Sequence, residues 1–260
     1  MADHTPDHDE TDREQTFISH LVELRSRLLR GISCVLIIFL SLFYFANDIY
    51  SWLASPLLAH LSANSTMIAT EVAAPFLAPL KLTLFVAVFL AMPYLLYQTW
   101  AFVAPGLYEN EQRFAMPLLA TSIILFYMGI AFAFFVVFPL LFGFFTAVAP
   151  EGVTIMTDIS HYLDFVLKLF FAFGLAFEVP IATILLVWTG LTSVQSLKHN
   201  RPYIIVGAFV LAMLLTPPDV ISQILLAVPV WCLFELGLIL SNRFTREDGS
   251  HDQTAYAEKK

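Results

Sequence analysis

The chain has 260 residues, of which 58% are hydrophobic and 13% charged, a composition that excludes an ordinary soluble domain with a polar surface and places the protein in a membrane. Its formal net charge is −8, and its acids crowd into the two ends: Asp3, Asp7, Asp9, Glu10, Asp12 and Glu14, then Glu247, Asp248, Asp252 and Glu258. That balance argues against a nucleic-acid partner.

The first fourteen residues are acidic and no small-residue cleavage site follows the first apolar run, so that run is expected to stay in the membrane rather than act as a removable signal peptide. Residues 17–30, FISHLVELRSRLLR, form an amphipathic prelude to it. At 100° per residue Phe17, Leu21, Leu24 and Leu28 share one stripe, and Glu23, Arg27 and Arg30 lie on the opposite side. Two readings stay open here. The arginines set topology while Glu23 and Arg27 pair at i,i+4, or the cluster faces a ligand.

A helix needs about 20 apolar residues to cross ~30 Å of hydrocarbon, and six candidates emerge. The first lies between Arg30 and Asp48, and the second runs from near Lys81 to near Val103 with Pro93 inside it. The third fills Met116 to about Phe142; the fourth runs from about Phe165 to Trp188 and contains Lys168 and Glu178. Tyr203 to Leu215 and Val220 to Leu240 are the fifth and sixth, joined by the turn TPPD. Both cysteines, Cys34 and Cys232, fall within apolar runs and read as small lipid- or core-facing residues.

The expected fold is therefore all-α: a polytopic membrane protein with six transmembrane helices over residues 17–242, an acidic tail over 1–16 and a polar tail over 243–260. With both termini in the cytoplasm, every Lys and Arg except Lys81 and Lys168 falls on the inner side, as the positive-inside rule requires. Those two sit near the outer ends of spans two and four, where an ammonium can snorkel. The outer loops are expected over Asp48 to Leu80 and Gly143 to Asp164.

Spans five and six are short. Thirteen residues from Tyr203 to Leu215, and fifteen from Val220 to Phe234 before Glu235, cover only about 20 and 22 Å at 1.5 Å per residue. Either lipid thins locally, or Glu235 simply marks the inner interface of two short helices.

Glu109 and Glu111, after span two, stand where topology calls for cations. Carboxylates at a cationic surface suit a cationic guest, and two separated glutamates can each take two parallel hydrogen bonds from a guanidinium. Phe102 and the APGLY turn supply an apolar wall. Glu178, in FAFGLAFEVP, lies mid-span, where an ionised acid costs about 2.5 kcal/mol or more. Pro180 frees a backbone carbonyl one turn back. A satisfied inter-helix hydrogen bond, a neutral acid and a working polar group are all compatible with that position. Gln223 either adds a second polar group near the outer side or caps an interface, and Asp219 after Pro218 starts the last span.

A secondary carrier would show internal repeats or paired broken helices. An intramembrane hydrolase would show H-E-x-x-H or paired aspartates. The sequence has neither pattern, so no enzyme and no cofactor are expected.

FISHLVELRSRLL, SPL, TEVAAPFLAPLKL, PYLLYQTWAFVAPGLYENEQR, FEVP, RPY and LLTPPDVISQ follow one another on this scaffold. In that order they resemble the TatC family, the multispanning receptor subunit of the twin-arginine (Sec-independent) protein translocase, over nearly the whole chain. The resemblance implies a receptor for signal peptides bearing consecutive arginines, in the cytoplasmic (inner) membrane. It would pass folded proteins across using the proton-motive force, with TatA-like and TatB-like single-span partners and self-association. It implies that Glu23 and Glu111 face the signal arginines and that His20, Arg25 and Phe102 shape the same surface. Pro56 and the stretch from Met67 to Phe76 would belong to an outer loop used in assembly, and Pro93 would kink span two near the recognition face. Glu178, Asp219 and Gln223 would serve translocation or assembly. Where the family's widespread form has proline after the Thr-Glu pair, this chain has Val72, a subfamily variant. Six helices cannot enclose a passage for a folded domain, so oligomerisation or recruited subunits are expected.

Overall fold

The structure, a computed structural model, describes residues 7–51, 68–103, 115–148, 158–215 and 220–257. Helix α1 spans Asp7–Leu42 and continues through one 3-10 turn, Phe43–Phe45, to residue 51. The amphipathic prelude and the first span are thus one rod. Helix α2 is Ala74–Val103; it starts seven residues before Lys81, the expected boundary. A lysine is a good helix former and does not end the helix; its charge meets Asp164, with Lys81 Nζ at 3.1 Å. The first outer loop is shorter than expected by the same stretch.

Helix α3, Ala115–Phe132, passes through a five-residue π turn, Ala133–Val137, into α4, Phe138–Val148. Helix α5, Ile159–Ala176, and helix α6, Val179–Trp188, form the fourth span and meet at a two-residue break, Phe177 and Glu178. Pro180 explains the break, because it has no N–H to donate to the carbonyl one turn back. A short helix α7, Val194–His199, precedes α8, Arg201–Leu215, and α9, Val220–Ala257. Helix α9 therefore continues well past the membrane span into the polar C-terminal region.

Among the described residues, five helical stretches are long and apolar enough to cross a membrane: Leu21–Ser51, Ala74–Phe102, Met116–Phe145, Ile159–Trp188 and Gln223–Asn242. Arg201–Leu215 is the shorter sixth. Among the described residues there is no strand, only an isolated bridge between Ile68 and Asp158. The fold is that of an all-α polytopic membrane protein.

Its core joins the π turn, α4 and α5 to α8 and α9, through Val137, Leu141, Val166, Leu169, Phe170 and Phe173 against Ala208, Ala212, Leu226 and Ala227. Two glycines allow α3 and α5 to touch. A Cβ on Gly129 would lie 2.4 Å from the Phe173 carbonyl oxygen, and one on Gly174 would lie 2.6 Å from the Phe126 ring. Small residues at such crossings let backbones approach, which is how helices associate where lipid removes the hydrophobic drive. Helix α1 packs chiefly on α2, with Gly31 admitting Leu95.

The chain's alternation sorts the polar contacts onto two ends of the bundle. Glu23, Arg27, Gln98, Arg201 and Glu235 gather at the end where α1 enters and α2 leaves. Asp158, Asp164, Thr70 and Lys81 gather at the other.

Candidate functional site

At the α1–α2 end, Arg27 Nε and Nη2 donate to Glu23 Oε1 at 2.9 and 2.5 Å. The pair is the i,i+4 contact legible in the sequence. The third contact is not: Arg27 Nη1 also reaches Gln98 Oε1 of α2 at 3.5 Å, across 71 residues of chain. Gln98 is buried. The Arg27 side chain is 20% exposed and that of Glu23 38%; the arginine is held between two acceptors, and among the described residues no donor reaches Glu23 Oε2.

The leucine stripe faces the other way. Leu21, Leu24 and Leu28 are exposed, an inversion of the soluble-protein pattern that follows from lipid being the apolar solvent; polar groups turn toward the neighbouring helix. Arg25 is exposed, and Arg30 Nη2 bonds Ser26 Oγ at 3.0 Å. Phe102, half-buried, follows Gln98 by one turn and shares its face of α2. His20 lies on α1, three residues before Glu23. Glu111, Pro56, Met67 and Asp219 lie outside the described residues. The structure thus brings Glu23, Gln98 and Phe102 to one end of the α1–α2 pair. Sequence reasoning missed Gln98, whose one signal was a polar side chain four residues before Phe102.

A second polar group sits deeper. Trp100 Nε1 donates to the buried Ser122 Oγ at 3.3 Å, and the Ser122 hydroxyl also faces the Glu178 carboxyl. Glu178 Oε1 is buried without a hydrogen-bond partner. Its position explains this: it occupies the break before α6 but makes no side-chain cap to that helix. Three spans, α2, α3 and the α5–α6 pair, therefore converge on one unsatisfied acceptor, where a donor from another chain or a water would gain a strong bond.

The remaining sites tie helices together. Gln223 Nε2 donates to the Phe209 carbonyl of α8 at 3.1 Å, so it joins spans five and six and is no simple cap. Arg201 and Glu235 pair at 2.6 Å. Helix α2 runs on through Pro93, and the carbonyl that Pro93 leaves without a donor, that of Phe89, accepts from Tyr127 Oη at 2.8 Å. At the opposite end Asp158 accepts from Thr70 N and Oγ1 at 2.8 and 2.6 Å and caps α5 through Ser160 N and His161 N. The Thr70 hydroxyl, then the His161 and Thr70 amides, hold its carboxyl well below the usual carboxylate range.

Polar side chains at helix ends and at one helix break, on a scaffold of six apolar helices, define an integral membrane protein built around inter-helix recognition. The profile of the family described as Sec-independent protein translocase protein (TatC) matches residues 19–229. The chain is 60% identical over 239 residues to the Sec-independent protein translocase protein TatC of Azotobacter chroococcum, covering 92% of this chain and 94% of that one. It is 55% identical over 239 residues to the TatC of Escherichia coli strain K12, covering 92% and 93%. A crystal structure of a twin arginine translocase receptor, TatC, superposes with a TM-score of 0.78 at 38% identity, over 87% of this chain and 99% of that one. The chain belongs to the TatC family of Sec-independent protein translocase components.

Proposed function

We propose that the chain is the signal-peptide receptor of its translocase, binding paired arginines of cargo signal peptides at the α1–α2 end. The observation that carries this reading is the Glu23–Arg27–Gln98 contact. Glu23 already holds a guanidinium in charge-assisted hydrogen bonds, on a carboxylate whose open side can take another. Arginine fits such a seat better than lysine because its planar fork meets a carboxylate with two parallel donors. Phe102 supplies an apolar wall from α2, Glu111 the second carboxylate, and His20 and Arg25 the flanks.

The α1–α2 end faces the cytoplasm in this reading, with both termini on the cytoplasmic side of the inner membrane, residues 1–16 and 243–260 as tails, and 17–242 as the membrane domain. The positive-inside count supports that orientation. Glu178, with its unpartnered oxygen at the α5–α6 break, receives a polar group of a TatA-like or TatB-like single-span subunit. Gln223, Asp219, Pro56, Met67 and Pro93 set the helix geometry for assembly and self-association. Translocation draws on the proton-motive force, and no catalytic step is assigned to this chain.

Photocrosslinkers placed at residues 23 and 111 test the reading. They should capture a signal peptide with its arginine pair and lose it when the pair is lysine, and Glu23→Arg or Glu111→Arg should abolish capture from the other position. Capture indifferent to both changes would refute the recognition role.

A further inference from the structure

We infer that Arg27 is the built-in occupant of the arginine seat on Glu23, and that a guest guanidinium takes its place by moving it onto Gln98. This rests on the signal-peptide reading above and adds two residues to the recognition site that the reading does not need.

Three observations carry it. First, Arg27 presents the same chemistry as the guest, and it spends two N–H groups, Nε and Nη2, on a single oxygen, Oε1. Among the described residues nothing occupies Oε2, so a guest can begin to bind before Arg27 has left. Second, the third arm of the guanidinium already points at another acceptor: Nη1 lies 3.5 Å from Gln98 Oε1, the outer limit of a hydrogen bond, and a small rotation of the side chain shortens it. Third, Arg27 is more covered than the carboxylate it holds, 20% against 38% exposed, whereas an ordinary helix-surface ion pair leaves both groups in solvent. A neutral amide is the right second perch. It accepts from the displaced guanidinium without attracting it so strongly that Glu23 is left bare at rest.

The device has a kinetic signature. If Arg27 fills the seat for part of the time, the apparent affinity for any guest falls by the fraction of time the seat is open. The cost appears in the association rate, because the guest's own contacts with Glu23, and hence its escape, are unchanged once it is seated. A residue that only shaped Glu23 would behave in the opposite way: removing it would loosen the complex and speed dissociation.

The experiment uses the full-length protein in lipid nanodiscs and a fluorescent synthetic peptide with an arginine pair, with association and dissociation rates measured separately. Arg27→Gln should speed association about 1.5- to 5-fold, the range spanned by exposed ion pairs, and leave dissociation unaltered. Arg30→Gln removes the same charge from a side chain bonded to Ser26 instead, and should speed association by clearly less. Gln98→Ala removes the second perch, so the seat is open for less of the time, and with Arg27 in place association should slow while dissociation stays unaltered. Slower association or faster dissociation in Arg27→Gln would overturn the inference, as would an equal gain in Arg30→Gln or unslowed association in Gln98→Ala. Glu23→Gln separates this from the underlying reading. If it binds as wild type, the seat itself is wrong; if it loses the peptide while the Arg27 and Gln98 variants fail their marks, only the displacement idea falls.

Discussion

Tyr127 donates its hydroxyl to the carbonyl of Phe89 at 2.8 Å, and Phe89 stands four residues before Pro93, which has no N–H to offer it. A proline in the middle of a membrane helix leaves a bare carbonyl where no water can meet it. Here a neighbouring helix meets it. Tyr127→Phe should therefore destabilise the protein by about 1 kcal/mol, within the range of membrane hydrogen bonds, measured as a loss of thermal midpoint in detergent. The loss should shrink toward zero in a Pro93→Ala background, where the helix supplies its own donor. A tyrosine that matters equally in both backgrounds would disprove the pairing.

The α3–α5 crossing makes a second prediction. Gly129→Ala would set a methyl 2.4 Å from the Phe173 carbonyl oxygen, an atom that cannot move without shifting the helix that carries it. The expected cost is about 1–3 kcal/mol, as for overpacking elsewhere. Gly207, with nothing within 4 Å of an added Cβ, is the control: Gly207→Ala should be neutral or gain up to about 1 kcal/mol from helix propensity. Equal effects at the two sites would show that backbone entropy, not contact, decides them.

What could be read from the sequence was local or compositional. The apolar runs, the short fifth span, the Glu23–Arg27 spacing and the disruptive effect of Pro180 beside Glu178 all lie within one helix or one turn, and periodicity reports such features. What could not be read was every contact that needs the third dimension. A charge-free interval puts the start of span two near Lys81, and nothing in the sequence shows that Asp164, 83 residues away, pairs with that lysine. Gln98 gave no sign of meeting Arg27, nor Tyr127 of serving Pro93. The leucine stripe of residues 17–30 was visible, but its direction was not: a helical pattern says which residues share a face and leaves open whether that face meets lipid or protein.

Asp158 sets a pH dependence. Its carboxyl, outside the spans, is held below the usual range chiefly by the Thr70 hydroxyl and then by amides of His161 and Thr70. A group whose folded value lies below its unfolded one, about 3.9 for Asp, contributes stability that is present above that unfolded value and lost as pH falls below it toward the folded one. The thermal midpoint should therefore drop as pH is lowered from about 4. The drop should flatten in Asp158→Asn and lessen in Thr70→Val, which removes the leading cause. A wild-type decline reproduced unchanged in Asp158→Asn would place the acid sensitivity elsewhere.

Helix α8 has 15 residues, about 22 Å at 1.5 Å per residue, against ~30 Å of hydrocarbon. Arg201 is its first residue, and it pairs at 2.6 Å with Glu235, which lies fifteen positions beyond Val220, the start of α9. Two helices separated by only four residues of chain at one end and clasped by an ion pair at the same distance from it cannot lengthen independently. The lipid must adapt to them, by thinning, at a cost of fractions of a kcal/mol per ångström. The clasp contributes little to stability, because Arg201 is 44% exposed and such pairs are worth at most about 1 kcal/mol; its effect is on where the polar boundary falls. Inserting four apolar residues into α8 should relieve the mismatch. If thinning lowers the barrier to translocation, that variant will bind signal peptide with wild-type affinity and transport cargo poorly into inverted membrane vesicles. Full transport with the lengthened helix would mean that the short span is a consequence of packing alone, whereas loss of peptide binding would mean that α8 helps to build the recognition end.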